Sequence, residues 1–236
     1  MTETKTCVDC AKPFDSESIE AMGRVIYTQT RCDSCQNAAQ QASKMADKVR
    51  TAEEQTKARG EAYSAICPPL YRDTDPARIH STFLRASAEW QFGAQGIGFV
   101  GIAGKGKTRA AFLLCQRMIE EGRSVHAVTA TRLAKACAYQ FSDNKDEKAA
   151  SEKEIQRAYK AKVWFLDDLG KQRMTERGEM ELYAILEHRT ANLLPTVWTA
   201  NAKSATLQNM FTPDRGEAIM RRIVEFSQVV AVWKTD

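Results

Sequence analysis

Gly101-Ile102-Ala103-Gly104-Lys105-Gly106-Lys107-Thr108 spells GxxxxGK[ST]. Glycines at that spacing let backbone N–H groups curl around phosphate oxygens, and the start of a helix adds positive potential. Lys107 would reach a β- and γ-phosphate, and the Thr108 hydroxyl would ligate Mg²⁺. About sixty residues on, Val163-Trp164-Phe165-Leu166 runs into Asp167-Asp168. An apolar strand ending in two acids, placed after a phosphate loop, is a Walker B element. Asp167 would hold Mg²⁺ through water, and Asp168 would orient or deprotonate the attacking water. Asn201 follows a further apolar run. A polar side chain there can reach a γ-phosphate or the lytic water, although alone it also reads as a turn residue. Arg221 and Arg222 sit inside a helical stretch. Either is read as a solvated basic face or as a finger reaching a neighbouring subunit's site.

A second cluster is made of thiols. Cys7 and Cys10 form one CxxC, and Cys32 and Cys35 another, in a chain with seven cysteines. An odd number with no export-type leader argues against a disulfide framework. Two tight turns, each offering two thiolates, supply a closed tetrahedral set for Zn²⁺ at about 2.3 Å, with no open position for catalysis. The bland reading is four free thiols or a redox pair. Gly23 to Tyr27 is expected to form a strand between the two turns. Residues 1–36 hold too little apolar matter to fold unaided, so the metal would supply their stability.

These groups need elements to position them. The chain has 236 residues, 43% hydrophobic and 27% charged, with a net charge of +4. That excludes a disordered chain, a collagen and a multipass membrane protein, and neither demands nor forbids nucleic acid. The N-terminus lacks the apolar stretch of a signal peptide, so a cytoplasmic protein is expected. Residues 37–62 are rich in Ala, Gln, Lys and Glu, with five basic against four acidic side chains. This predicts a helix, either a solvated spacer or a partner-binding element. Cys67-Pro68-Pro69 ends it. Beyond it, strands at 96–100, 124–128, 163–166, 196–200 and 229–232 alternate with helices at 109–121, 179–190 and 215–226. That alternation predicts an α/β sandwich with a mainly parallel sheet. Ser142 to Lys162, six basic against five acidic, is expected to be a solvated helix. The expected division is a ribbon over 1–36, a helical linker over 37–66 and an ATPase domain over 67–236.

Together these pieces resemble the AAA+ ATPases of the DnaC/DnaI helicase-loader and IstB transposition-helper family. Pro69 to Thr74 looks like the family's short opening segment. Gly101 to Thr108 matches its P-loop. Phe165-Leu166-Asp167-Asp168-Leu169-Gly170 is close to its Walker B signature. Glu187-His188-Arg189, through Pro195 to Asn201, is similar to the stretch that ends in the sensor I asparagine. Arg222-Ile223-Val224-Glu225 resembles the box carrying the arginine finger, which raises Arg222 above Arg221. The resemblance implies a P-loop AAA+ sandwich without a helical lid. It implies ATP, with Gly101, Gly104, Lys105, Gly106, Lys107, Thr108 and Asp167 binding it and its Mg²⁺. Asp168, Asn201 and Arg222 would be the catalytic set, and Cys7, Cys10, Cys32 and Cys35 the zinc ligands. Zinc-binding N-terminal domains occur in phage-type loaders.

The activity so implied is ATP-dependent loading of a hexameric replicative DNA helicase onto single-stranded DNA, with self-assembly through Arg222 and no membrane role. The alternative is an IstB-like ATPase that helps DNA transposition, a group that usually lacks a cysteine ribbon. A small-molecule P-loop kinase would need an arginine-bearing lid. A zinc protein with a degenerate ATPase conflicts with the intact Lys107, Thr108, Asp167 and Asp168.

Overall fold

The computed structural model describes residues 2–21, 24–171 and 174–234, which form two compact units, Met1–Ala58 and Arg59–Asp236. In the first, β1 (Thr2–Thr6), β2 (Pro13–Ala21) and β3 (Arg24–Thr28) make an antiparallel sheet in that order. One strand was expected and three are present; Gly23 lies outside the described residues. Strands such as TETKT lack the apolar alternation that marks a half-buried strand. Among the described residues the sheet encloses almost no apolar matter. Cys7 is buried, and so are the polar Ser16 and Gln29. Ser16 Oγ donates to the Gln29 carbonyl at 2.7 Å, and Gln29 Nε2 donates to Asp33 Oδ1 at 2.8 Å. Ile19, Val25 and Ile26 stand exposed. The helix α1 (Asp33–Ile66) starts directly after Cys32. Every side chain over 41–58 is exposed, and its charges pair along the helix, as with Arg50 and Asp47 at 2.9 Å.

The second unit begins with α2 (Pro69–Arg72), a 3-10 turn (Pro76–Arg78) and α3 (Ser81–Glu89). Then come β4 (Gly96–Gly101), α4 (Lys107–Glu120), β5 (Val125–Thr129), α5 (Ala130–Tyr139) and α6 (Lys145–Lys160). The chain continues through β6 (Val163–Leu169), α7 (Glu176–Ala191), β7 (Thr196–Ala200), α8 (Ser204–Gln208), α9 (Pro213–Glu225) and β8 (Ser227–Val232). The sheet is parallel throughout, in the order β5-β6-β7-β4-β8. The expected sandwich is therefore present. Its three inner strands are buried almost entirely, as parallel strands covered on both faces must be. Alternate residues of β6 feed opposite cores. Val163 and Phe165 pack with Phe83, Phe99 and Leu114, while Trp164 and Leu166 pack with Leu182, Ile185 and Trp198.

Two devices tie neighbouring elements together. Trp198 of β7 lies across Gly98 of β4, where an added Cβ would sit 2.3 Å from the indole, and its Nε1 donates to Ser227 Oγ in β8 at 3.1 Å. Arg189 of α7 is fully buried. Its guanidinium donates to the carbonyls of Ala158 (2.7 Å), Ala161 (3.0 Å) and Pro195 (2.7 Å), joining the end of α6 to the approach to β7.

The expectation of a solvated helix over 142–162 is corrected: the helix spans Lys145–Lys160 and is buried on one face. Ser151, Glu154, Ile155 and Ala158 form a buried face. Glu154 lies 3.4 Å from His126 and 3.0 Å from Arg132. Burial pushes the Glu154 carboxyl up, but these basic partners outweigh it and hold it below its ordinary value. Among the described residues no helix is long and apolar enough to cross a membrane.

Candidate nucleotide site and four-cysteine cluster

β4, β7 and β6 lie side by side, and their carboxyl ends carry the residues singled out above. A cleft of about 500 Å³ opens there, within the range of small-molecule pockets. Ala103, Gly104, Gly106, Lys107, Thr108, Asp168 and Asn201 line it. Gly106 has φ +80° and packs on the turn before α3, where an added Cβ would come 2.6 Å from the Arg78 carbonyl oxygen. Glycine is therefore required twice, by conformation and by contact. The His80 N–H donates to the Lys105 carbonyl at 3.1 Å and holds the loop from the same side.

Lys107 is buried and donates to the carbonyls of Gly101 (2.9 Å) and Ile102 (2.8 Å). Burial lowers its pKa, against the pull of Asp168 and Asp167. Asp167 Oδ1 accepts from Thr108 Oγ1 at 2.9 Å and from Thr199 Oγ1 at 2.6 Å. Burial raises the Asp167 pKa, and the two hydroxyls oppose it. A buried cation and a buried carboxylate are thus both displaced toward neutrality, a strain that phosphate oxygens and a divalent cation would relieve. Asp167 and Thr108 meet at one oxygen and fit a Mg²⁺ site.

Asp168 has φ +57°, uncommon for a residue with a side chain. Thr199 Oγ1 accepts its N–H at 2.9 Å, and Asn201 Nδ2 donates to its Oδ1 at 3.3 Å. Asp168 and Asn201 are thereby brought together. Lys105 belongs to the loop through its backbone. Arg222 is not among the residues lining the cleft. It ion-pairs with Glu187 at 3.1 Å within its own chain, with Nε buried and unbonded.

The sequence reading missed several residues at the site. Thr199 looked like an ordinary strand residue, yet its hydroxyl organises both acids. Leu70, Tyr71 and Arg78 line the cleft. Tyr71 stacks on Phe112 with 5.4 Å between centroids, and Arg109 donates to the Leu70 carbonyl at 3.2 Å, which ties α2 to α4. The resemblance of 69–74 to an opening segment was the available signal. Size alone does not select this cleft. A groove of about 560 Å³ at Ser124–His126, Lys153 and Arg157 contains no phosphate loop.

In the first unit the ligand atoms of Cys7, Cys10, Cys32 and Cys35 all lie within 4.8 Å of one another. Cys10 Sγ and Cys32 Sγ are 3.8 Å apart, and the edge of a sulfur tetrahedron around zinc is about 3.8 Å. Backbone N–H groups at Cys10 and Cys32 hold the Cys7 thiol down at about 6, whereas the Cys32 and Cys10 side chains push Cys35 up to about 12. Four thiols crowded this closely form a set whose mutual repulsion as thiolates a bound cation would relieve. The donor set fits a closed tetrahedral metal site.

Known proteins share this architecture. A crystal structure of DnaI superposes with a TM-score of 0.55 at 21% identity, over 72% of this chain and 92% of that one. A crystal structure of the DnaC helicase loader gives 0.52 at 20%, over 72% and 98%. At these identities the likeness is one of fold. The uncharacterized protein YdaV of Escherichia coli (strain K12) is 25% identical over 135 residues, 57% of this chain, so the match spans about half (51%) of that relative's length. The family described as IstB-like ATP binding protein matches residues 37–235, taking in the phosphate loop and both acids, and the chain belongs to that family.

Proposed function

We propose that this protein is an ATPase that loads a replicative DNA helicase onto single-stranded DNA, in the manner of a phage-type loader. The observation that carries the reading is the four-sulfur cluster on a chain whose ATP-binding domain has the fold of the DnaC helicase loader. Residues 1–36 form the zinc ribbon that docks on the hexameric helicase, 37–66 the linker, and 67–236 the ATPase.

At the cleft, Lys107 leaves the carbonyls of Gly101 and Ile102 and takes the β- and γ-phosphates, while loop N–H groups bind the other oxygens. Thr108 and Asp167 hold Mg²⁺, which neutralises phosphate charge when bound. Asp168, oriented by Asn201 and Thr199, positions the attacking water. Arg222 leaves Glu187 to reach a neighbour's nucleotide, which makes hydrolysis depend on assembly. Single-stranded DNA acts as effector.

Two measurements test the reading. Lys107→Ala should weaken ATP binding, and Asp168→Asn should keep binding and slow hydrolysis. Immobilised full-length protein should capture replicative helicase from host extract, and Cys32→Ser should lose it. Capture of a transposase without helicase would favour the second reading, a transposition helper, which the IstB-like family membership supports.

A further inference from the structure

β6 ends in a turn that the phosphate-loop chemistry leaves unexplained. After Leu169, Gly170 adopts φ +98° and packs on α8, where an added Cβ would lie 2.3 Å from Leu207 Cδ2. The turn brings the next residue back, with the Lys171 N–H facing the Asp168 carbonyl at 3.4 Å. Lys171 Nζ then reaches Asp168 Oδ2 at 3.0 Å and lines the nucleotide cleft. Asn201 occupies the other oxygen of the same carboxylate. Without nucleotide, both oxygens of Asp168 are committed to partners inside the protein.

Resting on the nucleotide reading above, we propose that Lys171 senses the γ-phosphate. In the empty and diphosphate states its ammonium stays on Asp168 Oδ2. In the triphosphate state it transfers to a γ-phosphate oxygen, and Oδ2 becomes free to accept a hydrogen bond from water.

Three features support this. The Lys171 side chain is 57% exposed, and exposed ion pairs are weak, so the bond to Asp168 gives way cheaply. Lysine carries a compact ammonium on a flexible four-carbon stem, suited to moving between two anions. Lys107 already has alternative partners in the loop carbonyls, so both cleft lysines are parked on internal acceptors. The residue thus links occupancy of the γ position to the availability of the acid.

The test is binding by the full-length protein of ADP and of a non-hydrolysable β,γ-methylene ATP analogue, with Mg²⁺ present. Lys171→Ala should weaken the analogue about tenfold, about 1.4 kcal/mol, and leave ADP within about twofold. Lys171→Arg should retain the analogue's advantage. Asp168→Ala, which frees Lys171, should widen the analogue-to-ADP preference, and that widening should vanish in the Lys171→Ala, Asp168→Ala double variant. A parent protein that binds neither nucleotide overturns the nucleotide reading and this inference with it. A parent that binds both, loses both through Lys107→Ala, and keeps its analogue-to-ADP ratio in Lys171→Ala overturns the inference alone.

Discussion

Replacing Arg189 by Met isolates a bond set that joins three elements. The guanidinium is fully buried and makes three bonds of 2.7–3.0 Å to backbone carbonyls of Ala158, Ala161 and Pro195. Burial pushes its pKa down to about 9, so it remains charged at neutral pH. Hydrogen bonds from a charged donor contribute about 1.5–3 kcal/mol each after desolvation, so three sum to roughly 4.5–9 kcal/mol. Methionine refills much of the apolar volume and removes a buried charge, but it donates nothing to the three carbonyls. The low end, about 4 kcal/mol, is therefore expected, a large share of a typical 5–15 kcal/mol. For a domain of this size that lowers Tm by roughly 8–16 °C. Thermal unfolding followed by emission of the buried Trp164 and Trp198 measures it. Arg189→Lys, which keeps the charge but not the planar fork, should fall between. A Tm for Arg189→Met within about 3 °C of the parent would show that water satisfies the carbonyls and refute the reasoning.

Gly106→Ala should reduce ATP affinity more than tenfold and cost about 1–3 kcal/mol, because φ +80° and the contact with Arg78 both exclude a Cβ; nucleotide titration and melting check it. Elemental analysis of protein purified without chelator should find about one zinc per chain, with four thiols alkylated only after the metal is stripped, and less than about 0.2 zinc would contradict the cluster's assignment. Glu154 is held below its ordinary 4.5, so its contribution is present above that value and is lost as pH falls through its lowered one; Glu154→Gln should flatten the acid limb of the stability curve, seen in urea titrations across that range. Glu187→Gln frees Arg222 from its partner in the same chain and should raise the assembly-dependent part of ATP hydrolysis, while Arg222→Ala abolishes that part.

Much of the sandwich was legible from its two central landmarks, since β4 (GIGFVG) ends in glycine and β6 (VWFLDDL) runs an apolar stretch into two acids. Val163–Leu166 before Asp167 could hardly be anything but a buried strand. The ribbon strands were not legible, since TETKT and DSESIE hold a single apolar residue between them and show no apolar alternation. α5 escaped notice because ATRLAKACAY follows β5 with no break and only the Thr129 hydroxyl marks its start. The buried face of α6 hid behind charge, because Glu154 is an acid that packs inward against His126 and Arg132. At the cleft, spacing conveyed residue types and order. It could not convey the left-handed backbone of Asp168 or the double use of the Thr199 hydroxyl. Both depend on β7 lying between β4 and β6, a fact of topology absent from any local window.

Gly98 and Trp198 occupy one volume between two neighbouring strands. The indole fills the space that a side chain at position 98 would need and reaches Ser227 beyond it. The three positions are therefore not free to drift separately. A larger residue at 98 demands a smaller one at 198, and loss of the indole N–H leaves the serine at 227 without its donor. Across related sequences the three sites should change as a set. Replacing Trp198 alone would open a void three residues from the start of the phosphate loop, so the three positions constrain one another through space and not through sequence neighbourhood.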